Sequence, residues 1–528
     1  MSLHCCKGGI PALSDAKQRI LLFFILYITL IFMSRIARAA GNKSPFVYTA
    51  LIQNVPDKVH RLINPCSSTA STASGTVPLH HREAVLYWYK VQTDRLRKTV
   101  MKLLESVPRF DMKKAPMRMH LRPLLWLLTK PTLLVHRHRL TKVKMDGLKP
   151  PYILLCNHNA FMDMSAAIWA VFPHCVNFIV AIDGFIGREW LLRLIGCICK
   201  RKFTNDIQLL RHIKTVLSRG DIIAVYPEAR YSLCGTTAVL PDSVGKMAKL
   251  FKVPVVTLIT HGHHVNSPFF NLPDHGVRGT EAVMTQLLSE EDLNKLSVSE
   301  INEKIREAFV YDDYAWQKER GIRITYKNRA KGLEKVLYQC PVCRTEFHMH
   351  GDGTILKCSA CNAQWYMTEL GVLEYQGAAK RVDTPDTQPA LSEGFSHIPD
   401  WYEWERQNVR EEVRQGVYSF SCSAVVKALP NARKFLDIGK ADFSHDMAGF
   451  HLAGTYSGEE YRLDIPASEL YSVHIEYEYL GKFGDCVDLN TLTDTLYVYP
   501  KDCLFSVTKI ALATEELYRF YHGGPSSL

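Results

Sequence analysis

The 528-residue sequence lacks internal repeats and has no apolar run long enough to cross a membrane with ease. No unit of about 20–50 residues recurs, which excludes a solenoid or a propeller. The longest apolar run, residues 20–33, has 14 residues and would measure roughly 21 Å as a helix, against a hydrocarbon core of about 30 Å. With 47% apolar and 22% charged residues, the chain has ordinary globular composition and is too long for one hydrophobic core.

The flanks of residues 20–33 are typical of either a signal peptide or a short anchor. Ala37-Arg38-Ala39 resembles a cleavage site, whereas Arg19 and Arg35 would lengthen a span by reaching to the interfaces. Basic residues on both sides leave the orientation open. We interpret residues 1–41 as an anchor or signal segment and favour a single uncleaved anchor. The rest of the chain is then membrane-associated in a reducing, cytosolic compartment, where its cysteines stay reduced.

Acidic residues are almost absent from one stretch of the chain. Residues 113–149 contain ten Lys and Arg and one acid, in a chain of formal charge +11. Such a block favours an anionic partner, whether a membrane surface, a nucleic acid or a phosphorylated substrate. Its apolar segment, residues 124–128, suits a helix in the membrane interface with Trp126 at the headgroup level, or else an ordinary core helix. Pro123 and Pro131 predict short helices here.

Between about residues 150 and 265, strand-like and helical runs alternate along the chain. The strand-like runs are PYILLC, VNFIVAI, DIIAVYPEA and KVPVVTLI, and the helical ones are MSAAIWAVF, EWLLRLIG, IQLLRHIKTVLSRG and VGKMAKLF. This alternation predicts an α/β domain with a mixed, largely parallel sheet flanked by helices. In such sheets the chemistry lies beyond the carboxyl ends of the strands, which is where His158 and Glu228 fall.

His158 and Asp163 are five residues apart, which would separate them by about 140° on one helix. The geometry works if His158 lies in the loop after the strand and Asp163 opens the following helix. Asp163 then accepts a hydrogen bond from one imidazole nitrogen, and the other nitrogen is left to take a proton from a substrate hydroxyl. A satisfied surface pair is the alternative.

These motifs resemble the glycerolipid (lysophospholipid and glycerophosphate) acyltransferase superfamily. Its signature Asn-His-x-x-x-x-Asp corresponds to Asn157-His158 and Asp163, its Pro-Glu block to Pro227-Glu228, and its Val-Pro strand to Val253-Pro254. The stretch from about residue 115 through HIPDWYEWERQNVR is similar to bacterial 1-acylglycerol-3-phosphate acyltransferase-like proteins with a zinc ribbon. The resemblance implies that His158 is the base and Asp163 its orienter, and that acyl-CoA or acyl carrier protein donates the acyl group.

The resemblance also implies an acceptor site, with two departures from the family pattern. Asn157, Glu228 and Arg230 are expected to bind substrate, although Ala229 replaces the glycine of the usual Pro-Glu-Gly-Thr-Arg block and Arg230 comes one place early. The family's second block has an arginine six residues after a glycine, where this chain has Lys202 with Arg201 beside it. Either cation can hold a phosphate, but lysine does so as a point charge and arginine as a bidentate fork.

Fifteen cysteines form no pattern of a small secreted domain, but four of them form two Cys-x-x-Cys pairs. Cys340, Cys343, Cys358 and Cys361 have near-standard zinc-ribbon spacing and predict a closed, structural zinc site. His348 and His350 lie between the pairs and could substitute as ligands, although four cysteines need no help. No dense Lys/Arg cluster with interleaved aromatic residues accompanies the ribbon, which disfavours a nucleic-acid partner.

The sequence therefore predicts a membrane-associated O-acyltransferase that acylates a lysophospholipid such as 1-acylglycerol-3-phosphate. A non-catalytic lipid-binding scaffold and a zinc-ribbon nucleic-acid-binding protein are the alternatives. After the ribbon, strand-like runs and a closing helical run predict an antiparallel β module. The predicted segments are an anchor or signal segment (1–41), a linker (42–82), the acyltransferase domain (83–335), the zinc ribbon (336–374), a linker (375–396) and the β-rich module (397–528).

Overall fold

The computed structural model describes residues 107–378, 395–478 and 483–523. The predicted anchor or signal segment and the linker after it lie outside the described residues. So do the beginning of the predicted acyltransferase domain, up to residue 106, and most of the second linker. Within the described ranges, no helix combines the length and the hydrophobicity that crossing a bilayer requires.

The first sheet is mixed and largely parallel, as predicted. Its seven strands lie in the order β1-β7-β6-β2-β5-β3-β4, and every neighbouring pair is parallel except β6 and β7. The strands are β1 (Arg139–Val143), β2 (Ile153–Cys156), β3 (Val176–Ala181), β4 (Ile198–Lys200), β5 (Ile222–Val225), β6 (Val255–His261) and β7 (Glu281–Leu288).

Nine helices accompany this sheet in the described residues. They are α1 (Arg122–Val135), α2 (Met162–Val171), α3 (Glu189–Leu194), α4 (Ile207–Ser218), α5 (Ser243–Phe251), α6 (His263–Asn266), α7 (Glu290–Lys295), α8 (Val298–Ala308) and α9 (Asp313–Glu319). Apolar clusters fill both faces of the sheet. Leu154 and Cys156 pack into one, and Ile153 and Leu155 into another, because successive side chains of a strand point to opposite faces. The central strand is thus buried on both sides, which is why its sequence is continuously apolar.

The prediction of short helices around Pro123 and Pro131 was wrong. Residues 122–135 form one 14-residue helix, α1, with Pro123 in its first turn and Pro131 inside. A proline in the first turn lacks only a hydrogen bond that no helix makes there. Pro131 is the tenth of the fourteen residues, so the helix lacks one internal backbone hydrogen bond there and still continues for four more residues.

A small antiparallel sheet holds the four predicted cysteine ligands. Its strand order is β11-β10-β9-β8. The strands are β8 (Met349–Asp352), β9 (Ile355–Cys358), β10 (Ala363–Met367) and β11 (Leu373–Ala378). Trp365 of β10 packs edge-on against Trp401, with ring centroids 4.9 Å apart, which joins this sheet to the following helix.

The C-terminal module is an antiparallel sheet with a closing helix, as predicted. Its strand order is β15-β14-β13-β12-β18-β17-β16. It consists of α10 (Ile398–Arg414), β12 (Ser419–Ala428), β13 (Leu436–Asp446), β14 (Gly449–Tyr456), β15 (Glu459–Pro466), β16 (His474–Glu476), β17 (Cys486–Asn490), β18 (Thr495–Lys501) and α11 (Val507–Gly523). All described residues belong to one compact unit, so the module packs directly on the first sheet's domain.

Candidate active site

The candidate site lies where three parallel strands of the first sheet end. Strand β2 pairs with β5 on one side and β6 on the other, all running in the same direction. Their carboxyl ends therefore meet at one edge of the sheet. The loop after β2 carries His158, the loop after β5 carries Glu228, and the segment after β6 carries His263.

Asn157 joins the ends of β2 and β6. Its side-chain amide donates to the Thr260 carbonyl over 2.9 Å, and its Oδ1 accepts from the Thr260 backbone N–H at 2.8 Å. The residue is fully buried. Asn157 thus continues the backbone pairing of the two strands beyond β2, and its contacts in the structure are to the protein. Its predicted contact with substrate stays a prediction.

His158 and Asp163 meet as the loop-and-helix geometry requires. His158 follows β2, Asp163 lies in the first turn of α2, and His158 Nδ1 lies 3.2 Å from Asp163 Oδ2. The same oxygen accepts the backbone N–H groups of Asn159 and Ala160 at 2.6 and 2.9 Å. Asp163 therefore holds the loop before its own helix in place while it orients the imidazole. A carboxylate ion can only accept, so Nδ1 donates and Nε2 is left to take a proton.

The other oxygen of Asp163 contacts a second histidine that the sequence analysis missed. His263 Nδ1 lies 2.6 Å from Asp163 Oδ1, and both side chains are buried. Burial by itself would raise the pKa of Asp163, but the hydrogen bonds of His158 and His263 outweigh it and hold the pKa well below 3.8. The sequence feature that could have indicated His263 is the run Thr260-His261-Gly262-His263 at the end of the Val-Pro strand.

The His158 ring lies between two tyrosine rings and remains in contact with solvent. Its centroid is 4.3 Å from that of Tyr226 and 4.2 Å from that of Tyr231. The His158 side chain is 24% exposed, whereas its partner Asp163 is 1% exposed. Phe161, three residues on, is 73% exposed. An imidazole fixed at Nδ1, held between rings and partly open to solvent can accept a proton at its other nitrogen.

Glu228, in the loop after β5, is buried and only 1% exposed. Burial raises the pKa of its carboxyl well above 4.5, against the opposing effects of the His158 backbone amide and the Tyr311 hydroxyl. Ala229 next to it has φ of 56°, in the left-handed region that favours glycine. The turn therefore has a backbone conformation that glycine would adopt more easily, although the residue here is alanine.

Arg230 points towards the C-terminal module. Its Nη2 donates to Glu515 Oε1 of α11 over 2.7 Å, and both side chains are buried. The same Glu515 pairs through its other oxygen with Arg406 of α10 at 2.7 Å. The Arg230 Nε and Nη1 atoms are buried and make no hydrogen bond among the described residues. Arg230 is thus close to the site in sequence, but in the structure it forms an ion pair with another part of the chain.

Arg201 and Lys202 also face the C-terminal module. The Arg201 guanidinium donates to the carbonyls of Leu429 and Pro430, both at 3.1 Å, and to Thr495 Oγ1 at 2.8 Å. Lys202 is half-buried and acts electrostatically on Asp488 of β17. These contacts are with the C-terminal module, and the predicted role of the two cations in acceptor binding stays a prediction.

The four cysteines form one cluster of the size that a zinc ion requires. Cys340 and Cys361 Sγ atoms are 3.7 Å apart, as are those of Cys343 and Cys358. A tetrahedron with Zn–S bonds of about 2.3 Å has edges of about 3.8 Å. A disulfide would need about 2.05 Å. The thiols are therefore arranged as four ligands around a common centre, and His348 and His350 do not belong to the group.

Comparison with known proteins finds a family match in one segment of this chain. The Acyltransferase family model matches residues 134–261, about a quarter of the sequence, and includes His158, Asp163, Glu228 and Arg230. The predicted resemblance to the acyltransferase superfamily is confirmed over this segment. No curated protein matches the chain.

One solved structure with a match is the 1-acyl-sn-glycerophosphate (LPA) acyltransferase PlsC from Thermotoga maritima. It is 16% identical, and the alignment covers 42% of this chain and 93% of PlsC with a TM-score of 0.26. A likeness this slight carries no argument about the acceptor or the acyl donor.

Proposed function

We propose that the acyltransferase domain at residues 134–261 moves an acyl group from an acyl thioester to the hydroxyl of a lysophospholipid such as 1-acylglycerol-3-phosphate. The observation that carries the proposal is the His158–Asp163 pair, 3.2 Å apart beyond the carboxyl end of β2. The donor is acyl-CoA or acyl carrier protein, as the resemblance to the family implies.

In the proposed reaction His158 acts as a general base. Its Nε2 takes the proton of the acceptor hydroxyl while the hydroxyl oxygen attacks the thioester carbonyl carbon. The new C–O bond forms, the C–S bond breaks, and the leaving thiolate takes the proton back from the imidazolium. Asp163 keeps Nδ1 protonated throughout and stabilises the cation that His158 becomes. No covalent acyl-enzyme is needed, because the acceptor supplies the nucleophile.

The experiment uses the purified full chain in detergent with palmitoyl-CoA and 1-acylglycerol-3-phosphate. Release of free CoA thiol and formation of the diacyl lipid are measured together. We expect His158→Ala to abolish both while the thermal midpoint stays close to that of the unaltered protein. Undiminished turnover in His158→Ala overturns the assignment of the base.

A matched control is His451→Ala, which removes another histidine held by an aspartate. His451 Nδ1 lies 2.7 Å from Asp464 on the C-terminal sheet, away from the first sheet. We expect this variant to keep full activity. Lipid binding without turnover in the unaltered protein would instead favour the non-catalytic scaffold.

We also propose that the four cysteines hold one structural zinc ion. The ion would join the Cys340 and Cys358 knuckles and leave no coordination position open. It supplies stability to the small sheet and no step of the reaction. Metal analysis should find one zinc per chain that Cys358→Ser removes and that Cys422→Ser, a half-buried cysteine of β12, retains. Zinc content unchanged by Cys358→Ser would contradict the proposal.

We further propose that the domain works at a membrane surface through α1. Leu127 and Leu134 of this helix are 59% and 64% exposed and lie seven residues apart, on one face. The exposed basic residues Arg137, Arg139 and Lys142 follow directly. An apolar helix face bordered by cations suits the interface of an anionic bilayer.

A further inference from the structure

A buried cluster of possible metal ligands on the C-terminal sheet has no part in the proposed reaction. His474 and Glu476 lie on β16, and Asp488 lies on β17. His474 and Glu476 are two residues apart, so their side chains leave the same face of the strand. The antiparallel register pairs His474 with Asp488, which places the third side chain on that face too.

The three side chains are close enough to share one ion. Each offers one ligand atom, and these atoms all lie within 4.8 Å of one another. His474 Nε2 is 2.8 Å from Glu476 Oε1 and 3.9 Å from Asp488 Oδ2. Ligand atoms bonded to a metal at about 2.0–2.2 Å are roughly 3.0–3.5 Å apart. The cluster therefore has the dimensions of part of a coordination sphere.

Among the described residues, the two carboxylates of the cluster have no lysine or arginine in direct contact. His474 and Asp488 are 3% and 2% exposed. Within the described part of the chain, neither Glu476 nor Asp488 forms an ion pair with a lysine or arginine, and Lys202 acts on both from a longer range. The Asp488 carboxylate is 3.9 Å from His474 Nε2 and 4.0 Å from the Cys486 thiol, and both distances are too long for a strong hydrogen bond.

The charge of the cluster also favours a bound cation. His474 is the hydrogen-bond partner of Glu476 at 2.8 Å, and Asp488 is buried. A buried carboxylate without a close partner is costly, and a divalent ion shared by Asp488 and Glu476 would remove that cost.

We propose that His474, Glu476 and Asp488 bind one divalent metal ion of the Mn²⁺ or Zn²⁺ type, at a site separate from the four cysteines. One imidazole and two carboxylates form a nitrogen-and-oxygen ligand set that suits these ions, whereas four thiolates select zinc. The site does not depend on the proposed reaction, because none of its ligands belongs to the first sheet's domain.

The ion would lie close to that domain. The His474 ring is 6.3 Å from Phe269, which is 5.5 Å from Tyr231, which in turn contacts His158 at 4.2 Å, all between ring centroids. Phe203, next to Lys202, packs edge-on against Tyr471 at 5.3 Å. The metal would thus strengthen the C-terminal sheet at the edge that meets the acyltransferase domain.

The test is a titration of the chelator-treated full chain with Mn²⁺, followed by the electron paramagnetic resonance signal of the free ion. Mn²⁺ is the probe because carboxylates suit it and thiolates do not. We expect one Mn²⁺ per chain, displaced by Zn²⁺, with affinity lowered roughly tenfold or more by Asp488→Asn or His474→Gln, since loss of a supporting ligand group has effects of that order. His451→Gln, which removes a half-exposed histidine from the same sheet, should bind as the unaltered chain does.

Asp488→Asn or His474→Gln could fail to fold, so a third variant and a second measurement are needed. Glu476→Gln changes one atom at a half-buried position, and its thermal unfolding is compared with that of the unaltered chain. Mn²⁺ should raise the thermal midpoint of the unaltered chain and not that of Glu476→Gln. The proposal is overturned by an unaltered chain that binds no Mn²⁺, or by equal affinity in the unaltered chain and in the folded ligand variants.

Discussion

At the scale of single residues, the arrangement of the site depends on the carboxylate of Asp163. One oxygen orients His158 and the other contacts His263, at 3.2 and 2.6 Å. Because the carboxylate only accepts, both imidazoles donate from Nδ1. His263 is buried and cannot meet a substrate, so it affects His158 only through Asp163. We infer that His263 is a positioning residue.

His263→Leu should lower kcat and leave KM nearly unchanged. It removes a charge-assisted hydrogen bond worth about 1.5–3 kcal/mol, which corresponds to roughly 10–100-fold in rate. His263→Asn offers a side-chain N–H near the position of Nδ1, so it should recover part of the loss. Steady-state acyl transfer measures both variants.

The control for these variants is His261→Asn, two residues earlier in the chain. His261 lies near Asp313, 3.6 Å away, and makes no hydrogen bond to Asp163. It should retain kcat. If His263→Leu kept full kcat, or if His263→Asn were no better than His263→Leu, the positioning role would be refuted.

Ala229 allows a test of backbone strain beside the site. Its φ of 56° costs a residue with a Cβ about 1–2 kcal/mol, which glycine does not incur. Glycine is also more flexible in the unfolded chain, and this flexibility cancels about 0.5–1 kcal/mol of the stability gained by relieving the strain. Ala229→Gly should therefore raise the free energy of unfolding by up to about 1 kcal/mol, measured by denaturant titration.

Ala248→Gly in helix α5 should do the opposite and lower the unfolding free energy by about 1 kcal/mol, because Ala248 is buried in a helix interior. A loss of stability in Ala229→Gly as large as that in Ala248→Gly would show that the left-handed turn carries no strain.

The residues that the sequence predicted are those whose geometry is local. His158 and Asp163 are five residues apart, so a strand, a loop and a helix start were enough to bring them together. His263 is 100 residues from Asp163 in the chain. Its position follows only from the order of strands, which places the end of β6 beside the end of β2. Sequence periodicity gives strands but not their neighbours, and this is why the second histidine was missed.

At the scale of elements, burial on both faces decided which strands the sequence revealed. β2, β5 and β6 are almost wholly buried and therefore read as continuous apolar runs. β1, an edge strand of sequence RLTKV, is mostly exposed and has no such pattern. Edge strands commonly carry charges that prevent further pairing, so the signal that identifies a strand is weakest there.

Helix α1 allows a test of the proposed membrane contact. Leu127→Ser with Leu134→Ser should weaken binding of the full chain to vesicles that contain anionic lipid, because each change removes exposed apolar area that would enter the interface. Flotation at low and at high salt measures the binding. Salt should weaken it in all forms, since the neighbouring lysines and arginines add an electrostatic part.

Leu250→Ser is the matched control for this pair, because Leu250 is 62% exposed on α5, away from the basic stretch. Binding should be retained in that variant. If the double variant bound as the unaltered chain does, α1 would not be the membrane contact.

At the scale of the whole molecule, the C-terminal module contacts the cations that were predicted to bind the acceptor. Arg201 donates to Leu429, 228 residues later, and Arg230 to Glu515, 285 residues later. The resemblance to the family singled out these arginines, because it implied that they bind the acceptor. It could not give their partners, since contacts over such separations depend on how two folded modules meet.

Glu515 is the residue through which this contact can be tested. Burial would raise the pKa of its carboxyl, but Arg230 and Arg406 outweigh that effect and hold the pKa below 4.5. Its contribution to stability is therefore complete above pH 4.5 and is lost as the pH falls below that value. Glu515→Gln leaves Arg230 buried without a countercharge, which costs about 3–5 kcal/mol. Thermal unfolding near neutral pH should show a clearly lower midpoint than in the unaltered chain.

Glu411→Gln separates this contact from the mere loss of a carboxylate. Glu411 pairs with Arg414 within α10 at 2.6 Å, but both are exposed, and exposed pairs contribute little. The two variants also differ in what they predict for hydrogen exchange. Glu515→Gln should speed exchange in α11 and in the turn that carries Arg230, because the ion pair joins them, whereas Glu411→Gln should change neither. Equal midpoints and equal exchange in both variants would mean that the module is held by its apolar contacts alone.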